Sequence, residues 1–420
     1  MYNIYSLIKN KYEIFSVFKS REYRLFWLGA LFSNLGVWAL MSGRLWLMQE
    51  LTYSSGNSNL MLGILTFSGS GPILIFSMWG GVLADRINRL KIITFTRFMF
   101  AFLSILTGTL ITLNMITPLY LIIISIGTGI LFSIDIPSRQ AILGSIVPKK
   151  HLLYAITMYS FIFGISSLAG PAYFAPIVKI FRLDGLFYFV GFTYILTVLM
   201  LMSMKHIPNP KRNNKNKILK DLLDGWIYIK YNRIIFVLIS IGTIITIFGT
   251  SFMTLLPAYA EIIIQKGIEG YSTLLLGSGI GALLGGGMLA LFGNLKNSSK
   301  LQFICTLGIG ISLILFSQST WIYTSVLILI FVAGFNSAFA AINNTIIQSI
   351  VTEEFRGRVM SIHQMAWGTG AFGGLIIGLT AQIYSVQVAL TIFGTITFIS
   401  SGILGITILK TNHILGNKNE

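Results

Sequence analysis

The chain has one cysteine, nine prolines, four histidines and thirteen acidic residues in 420 positions. A single cysteine, Cys305, excludes an intramolecular disulfide. Charged residues make up only 10%, against about 25% in an ordinary soluble domain. Hydrophobic residues make up 54%, and the mean hydropathy is +0.79. A soluble fold of this length has no room to hide so much apolar side chain. A soluble enzyme, a disordered tail and a fibrous repeat are therefore excluded, and a polytopic membrane protein is expected. Also missing are a GxxxxGK[ST] phosphate loop, an HExxH pair and paired cysteines. No catalysis, cofactor or metal is expected, and any energy must come from an ion gradient or from the substrate's own gradient.

What is present is a set of long apolar runs. A bilayer core takes about 20 apolar residues per helix. Twelve runs satisfy this, at 25–49, 60–84, 92–113, 117–136, 153–178, 185–204, 234–256, 272–293, 301–317, 321–347, 361–384 and 387–409. Their continuity argues against a transmembrane barrel, whose strands alternate over short segments. The fold class expected is all-α. The three parts are an N-terminal six-helix bundle over 1–204, a cytoplasmic linker over 205–233 and a C-terminal six-helix bundle over 234–420.

The net charge of +17 comes from 30 Lys and Arg. These sit in short clusters between the runs, which points to membrane topology rather than to nucleic acid. With the N-terminus inside, 26 of the 30 fall on cytoplasmic segments, Arg97 and Arg139 among them. Both termini are therefore expected in the cytoplasm, and the N-terminus is expected to be retained. In the linker, Ile218, Leu219, Leu222, Leu223, Trp226 and Ile227 recur at helical spacing opposite Lys217, Lys220, Asp221 and Asp224. Two readings stand for that helix: one lying on the membrane face, or a solvated linker.

The halves repeat at a shift of 204. Ser145-Ile146-Val147 falls on Ser349-Ile350-Val351, Gly164 on Gly368 and Gly170 on Gly374. Two related halves around a basic loop are a common build of secondary transporters, with the substrate between the halves and transport by rocking.

Three stretches carry a resemblance. Gly81-Val82-Leu83-Ala84-Asp85-Arg86-Ile87-Asn88-Arg89-Leu90-Lys91 resembles the loop motif G-x-L-a-D-r-x-g-r-[kr] of the major facilitator superfamily, with Asn88 where glycine is usual. Asp135-Ile136-Pro137-Ser138-Arg139-Gln140-Ala141, followed by Val147-Pro148, resembles "D-x-P-[AS]-R-Q-A…L-V-P". Arg356-Gly357-Arg358-Val359-Met360-Ser361 resembles its "R-G-R-V-M-S" partner. Together they are similar to the branch holding enterobactin exporters and macrolide efflux pumps. The resemblance spans about Phe18 to Lys410. It implies a proton-driven exporter of small molecules in the bacterial inner membrane, working as a monomer. It also implies a cytoplasmic gating and proton-coupling cluster of Asp85, Arg86, Arg89, Asp135 and Arg139, with Asp135 at the end of the fourth run. Structural locking without proton coupling is the competing reading. Gly170-Pro171 resembles part of an antiporter motif, whose remaining glycines are absent here.

Substrate-cavity candidates follow from polar groups at membrane depth. Arg44 lies roughly 9 Å below the outer end of the first run at 1.5 Å per residue. It is read as a contact to an anionic substrate, as a switchable pair with Glu50 or Glu261, or as a snorkelling side chain. Asn336, Asn343, Asn344 and Gln348 are expected near one face of the tenth run. They line a cavity or join helices. Asn34 and Trp38 share a face of the first run, and packing is the competing reading for Trp38. Gly80 and Gly81 are expected to allow close helix approach. The four-residue glycine spacings at Gly277, Gly281, Gly285 and Gly370, Gly374, Gly378 are expected to do the same. His363 is read either as a histidine near a gating loop that titrates near neutral pH or as an interfacial histidine with no task. The function expected is proton-linked export of a siderophore-type metabolite or drug. A lipid flippase or a non-transporting sensor or scaffold is the alternative.

Overall fold

The computed structural model describes residues 16–148, 151–205, 218–292 and 298–416. Every expected run falls on helix, and no strand occurs among the described residues. Among these residues, nine helices are long and apolar enough to cross a membrane. The protein is all-α.

The first four helices are α1 (Arg21–Thr52), α2 (Ser58–Arg86), α3 (Arg89–Thr112) and α4 (Pro118–Ile146). Local chemistry sets their starts. Thr117 accepts from the Tyr120 N–H, with Pro118 at the first helical position, where its missing N–H costs nothing. Asn88 accepts from the N–H groups of Leu90 and Lys91 at 3.0 and 3.3 Å. The departure from glycine in the loop motif thus supplies an N-cap for α3.

The fifth and sixth runs join into α5 (Leu152–Met202), broken at Arg182. Arg182 sits at φ 62, ψ −175, a region that side chains other than glycine rarely occupy. It divides the rod into arms 152–181 and 183–202. Next come α6 (Ile218–Tyr231), α7 (Arg233–Ile244) and α8 (Phe252–Ala258). A wide π turn at Ile245–Gly249 interrupts the seventh run; the helical stretch continues past its expected end at 256, with Pro257 removing one backbone donor and a second π turn at Tyr259–Ile263. The chain ends with α9 (Gly267–Phe292), α10 (Ser298–Gln318), α11 (Ile322–Ile350), α12 (Glu353–Gly368), α13 (Gly370–Ile383) and α14 (Val386–Gly416). The eleventh run spans α12 and α13, so its helix begins at Glu353 rather than at 361.

Two compact units emerge, Met1–Arg44 with Ile75–Asn213, and Leu45–Leu74 with Asn214–Glu420. In the first, α3 packs on α4 and on α5. Its core gathers Tyr23, Phe26, Ile142, Ala155 and Ile162. The Tyr23 hydroxyl donates to the Ala155 carbonyl at 2.9 Å. At Gly80 an added Cβ would stand 2.9 Å from the Ile134 Cα, so α2 crosses α4 there. At Gly81 an added Cβ would meet nothing within 4 Å, so Gly80 and not Gly81 is the close approach.

In the second unit, α9 packs on α11 through its glycine row. An added Cβ at Gly281 would stand 2.8 Å from Ile330 backbone. Gly374 faces Thr66 and Thr254, and Gly378 faces Gly63, which seats the first half of α2 on α13. The α6 helix docks one side on α12. Tyr228 stacks on Phe355 at 4.4 Å, and Arg358 meets Asp224 at 3.6 Å. Its Leu223, Trp226 and Ile227 side is exposed. Of the linker, residues 206–217 lie outside the described residues, as do the side chains of residues 218–222.

Candidate functional site

The charge cluster in the first unit is built on α3 and α4. Because α4 continues to Ile146, Asp135 lies inside the helix and not at its end. Its side chain is 0% exposed. Arg97 Nη2 on α3 meets one carboxylate oxygen at 2.9 Å, and Arg139 Nε, one turn on, meets the same oxygen at 2.6 Å. Thr96 donates to the other oxygen at 2.9 Å. Arg139 also donates through Nη1 to the Tyr159 hydroxyl at 2.9 Å, and Tyr159 stacks on Phe26. Arg97 stands 5.7 Å from the ring centres of both Phe100 and Tyr194. Such burial is tolerated only because both cations share one anion and further donors satisfy it.

This corrects the sequence reading in two places. Arg97 and Arg139 are not loop charges in cytoplasmic water: they are 1% and 7% exposed. Arg97 was absent from the expected cluster. The available signal was an arginine nearly two turns after the loop motif, inside a run otherwise apolar. Nor is Asp135 a border acid.

Arg86 and Arg89, two of the other expected members, make none of the described contacts of this triad. Arg86 is exposed. Arg89 donates to the backbone carbonyls of Ala84 and Ala141, at 3.2 and 3.0 Å, and to the Ser145 hydroxyl. It therefore ties the α2–α3 loop to the cytoplasm-proximal end expected for α4. The Asp85 side chain lies outside those described.

Of the cavity candidates in the first unit, Arg44 is 7% exposed and donates to Thr128 Oγ1 at 2.6 Å. It does not snorkel. Glu50, one of its proposed partners, is exposed. Asn34 is buried and donates to the Ala30 carbonyl of its own helix. Trp38 lies against Gly170, where an added Cβ would stand 2.5 Å from the Trp38 Cβ. That contact seats α1 on the Pro171 segment of α5 and gives Trp38 a packing role.

In the second unit the amides of α11 divide between two faces. Asn343 is buried and accepts from Gln302 Nε2 at 2.9 Å. Asn344 instead accepts from the exposed Gln348 at 3.2 Å. Asn336 is half-buried, and its Nδ2 has no partner among the described residues. Asn343 and His363 both pack at Gly242. His363 is 8% exposed, so it is a buried residue and not an interfacial one. Among the described residues no cluster of His, Cys, Asp and Glu is arranged to hold a metal ion.

Comparison with known proteins agrees with this all-helical fold. Residues 13–413 match the profile of the family described as "Transmembrane secretion effector". The staphyloferrin A transporter of Staphylococcus aureus is 25% identical over 369 residues, covering 86% of this chain and 90% of the relative. The enterobactin exporter of Escherichia coli O1:K1 is 26% identical over 347 residues, covering 79% and 78%. Among solved structures, a POT family transporter in complex with 5-aminolevulinic acid superposes with TM-score 0.74 at 12% identity, covering 93% of this chain and 96% of that one. A D-xylose-proton symporter gives 0.68 at 16% identity, covering 91% and 96%. At these identities the structures speak for the fold alone.

Proposed function

We propose that this chain, which belongs to the transmembrane secretion effector family of the major facilitator superfamily, exports a siderophore-type metabolite across the bacterial inner membrane. It is a multi-pass membrane transporter and not an enzyme. The observation that carries the siderophore reading is similarity to a staphyloferrin A transporter over 86% of this chain. The enterobactin exporters support it from a second siderophore.

Export is by alternating access in exchange for protons, by a monomer with both termini in the cytoplasm. The excess of basic residues on the expected cytoplasmic segments supports this orientation even with Arg97 and Arg139 removed from the loops. The Asp135 triad supports coupling. One carboxylate holds two cations from two helices. Protonating it would release both attractions at once and shift the balance between two states of the protein.

The test is mass spectrometry of spent medium and cell extract from a parent strain and a deletion, each grown with and without iron. An iron-binding metabolite should vanish from the medium and accumulate in the deleted cells. Identical profiles in both media would sink the siderophore reading and bring drug efflux or lipid movement forward.

A further inference from the structure

Arg44 is a buried cation whose charge no described carboxylate answers. Its Nη1 is committed to Thr128 Oγ1 at 2.6 Å. The Thr128 hydroxyl donates in turn to the Ser125 carbonyl at 2.8 Å, so its lone pair is turned to the guanidinium. That chain fixes the plane of the Arg44 head group. The two remaining nitrogens, Nε and Nη2, have no hydrogen-bond partner among the described residues. These two lie on one edge of the guanidinium and form its two-pronged fork, which matches the two oxygens of a carboxylate.

The surroundings make the same demand. Among the described residues, the buried acid of this unit is Asp135, which is already shared by Arg97 and Arg139. The Tyr194 hydroxyl is buried without a partner and lies within electrostatic reach of Arg44. The Ser125 hydroxyl, on the same turn of α4 as Thr128, is also buried without one. An isolated guanidinium out of water is costly unless an anion meets it. Arg44 is too deeply buried to reach water while it holds Thr128.

We propose that the Arg44 fork, closed off in the state described here and backed by Thr128 and Tyr194, binds a carboxylate of the exported molecule in the state that opens to cargo. The cargo is therefore a carboxylate-bearing chelator, and not one built from catechol or hydroxamate groups alone. This rests on the export reading and sharpens it to a substrate class.

The experiment is calorimetry on the purified full chain in lipid nanodiscs, with citrate, catechol and inorganic phosphate as probes. Wild type should bind citrate in preference to both others. Arg44→Gln should weaken citrate binding by about tenfold or more, the loss expected for a charge-assisted pair. Arg44→Lys should fall between, since an ammonium keeps the charge but lacks the fork. Thr128→Ala should weaken citrate by a few-fold, in the manner of one lost hydrogen bond. If Arg44→Gln fails to fold, the Lys and Thr128 variants carry the same comparison.

Citrate affinity unchanged in these variants, no citrate binding by wild type, or tighter binding of phosphate would each overturn the carboxylate site. Export is read separately, by mass spectrometry in cells carrying each variant. A deletion that exports everything normally refutes the export reading, while Arg44-dependent citrate binding can still stand. A chelator exported by wild type and equally well by inserted Arg44→Gln refutes the site and leaves the export reading intact.

Discussion

Asp135 and Arg97 meet at 2.9 Å with side chains 0% and 1% exposed, and Arg139 closes on the same carboxylate oxygen from the next turn of α4. Two helices of the first unit are thereby held by one shared anion. Removing one partner of a buried pair costs more than the pair is worth, because the remaining charge is left in a medium that does not solvate it.

Asp135→Asn should therefore destabilise the protein by about 3–5 kcal/mol and abolish transport. Thermal unfolding in detergent and export in cells read the two effects. The double variant Asp135→Asn/Arg97→Met should regain part of the lost stability, because one of the two orphaned cations is gone while Arg139 remains. If the double variant is worse than the single by the full cost of Arg97→Met alone, the two residues are not coupled.

The amide pair Gln302 and Asn343 poses the same question without charge. Asn343→Leu strands the Gln302 side chain, and stability should fall by about 1–3 kcal/mol. Gln302→Leu/Asn343→Leu should recover most of that loss, since both polar groups leave together. A chemical or thermal melt of the three variants decides it.

Glycines that look alike in sequence should behave differently. Gly281→Ala on α9 pushes a methyl against Ile330 backbone on α11, with overpacking of about 1–3 kcal/mol. Gly287→Ala, on the same helix, meets nothing within 4 Å. It should be neutral or stabilising by helix propensity. Equal effects of the two substitutions on the melting temperature would contradict the close crossing of α9 and α11.

The proposed orientation is open to cysteine labelling, because Cys305 is the one native thiol. In a Cys305→Ala background, Ser55→Cys and Thr352→Cys both occupy exposed positions. A membrane-impermeant maleimide should label Ser55→Cys in intact cells and label Thr352→Cys only after permeabilisation. The opposite pattern would invert the topology.

Composition and hydropathy by themselves determined that this chain is helical and crosses a membrane many times. The apolar runs leave no other way to satisfy backbone hydrogen bonds in lipid. The loop motif and its two companions determined the superfamily, since those stretches are contiguous and need no folding to be read. Tertiary structure decided which charges matter. Arg97 read as a loop cation because hydropathy is an average along the chain, and a buried ion pair depends on which helices cross. The same limit separated Gly80 from Gly81, and Asn343 from Asn344. Adjacent residues on a helix differ by 100° in direction, so one meets a neighbouring helix while the next turns away. Arg44 shows both sides: its sequence position marked it as expensive, and only its contact with Thr128 showed that it stays buried with its fork turned inward.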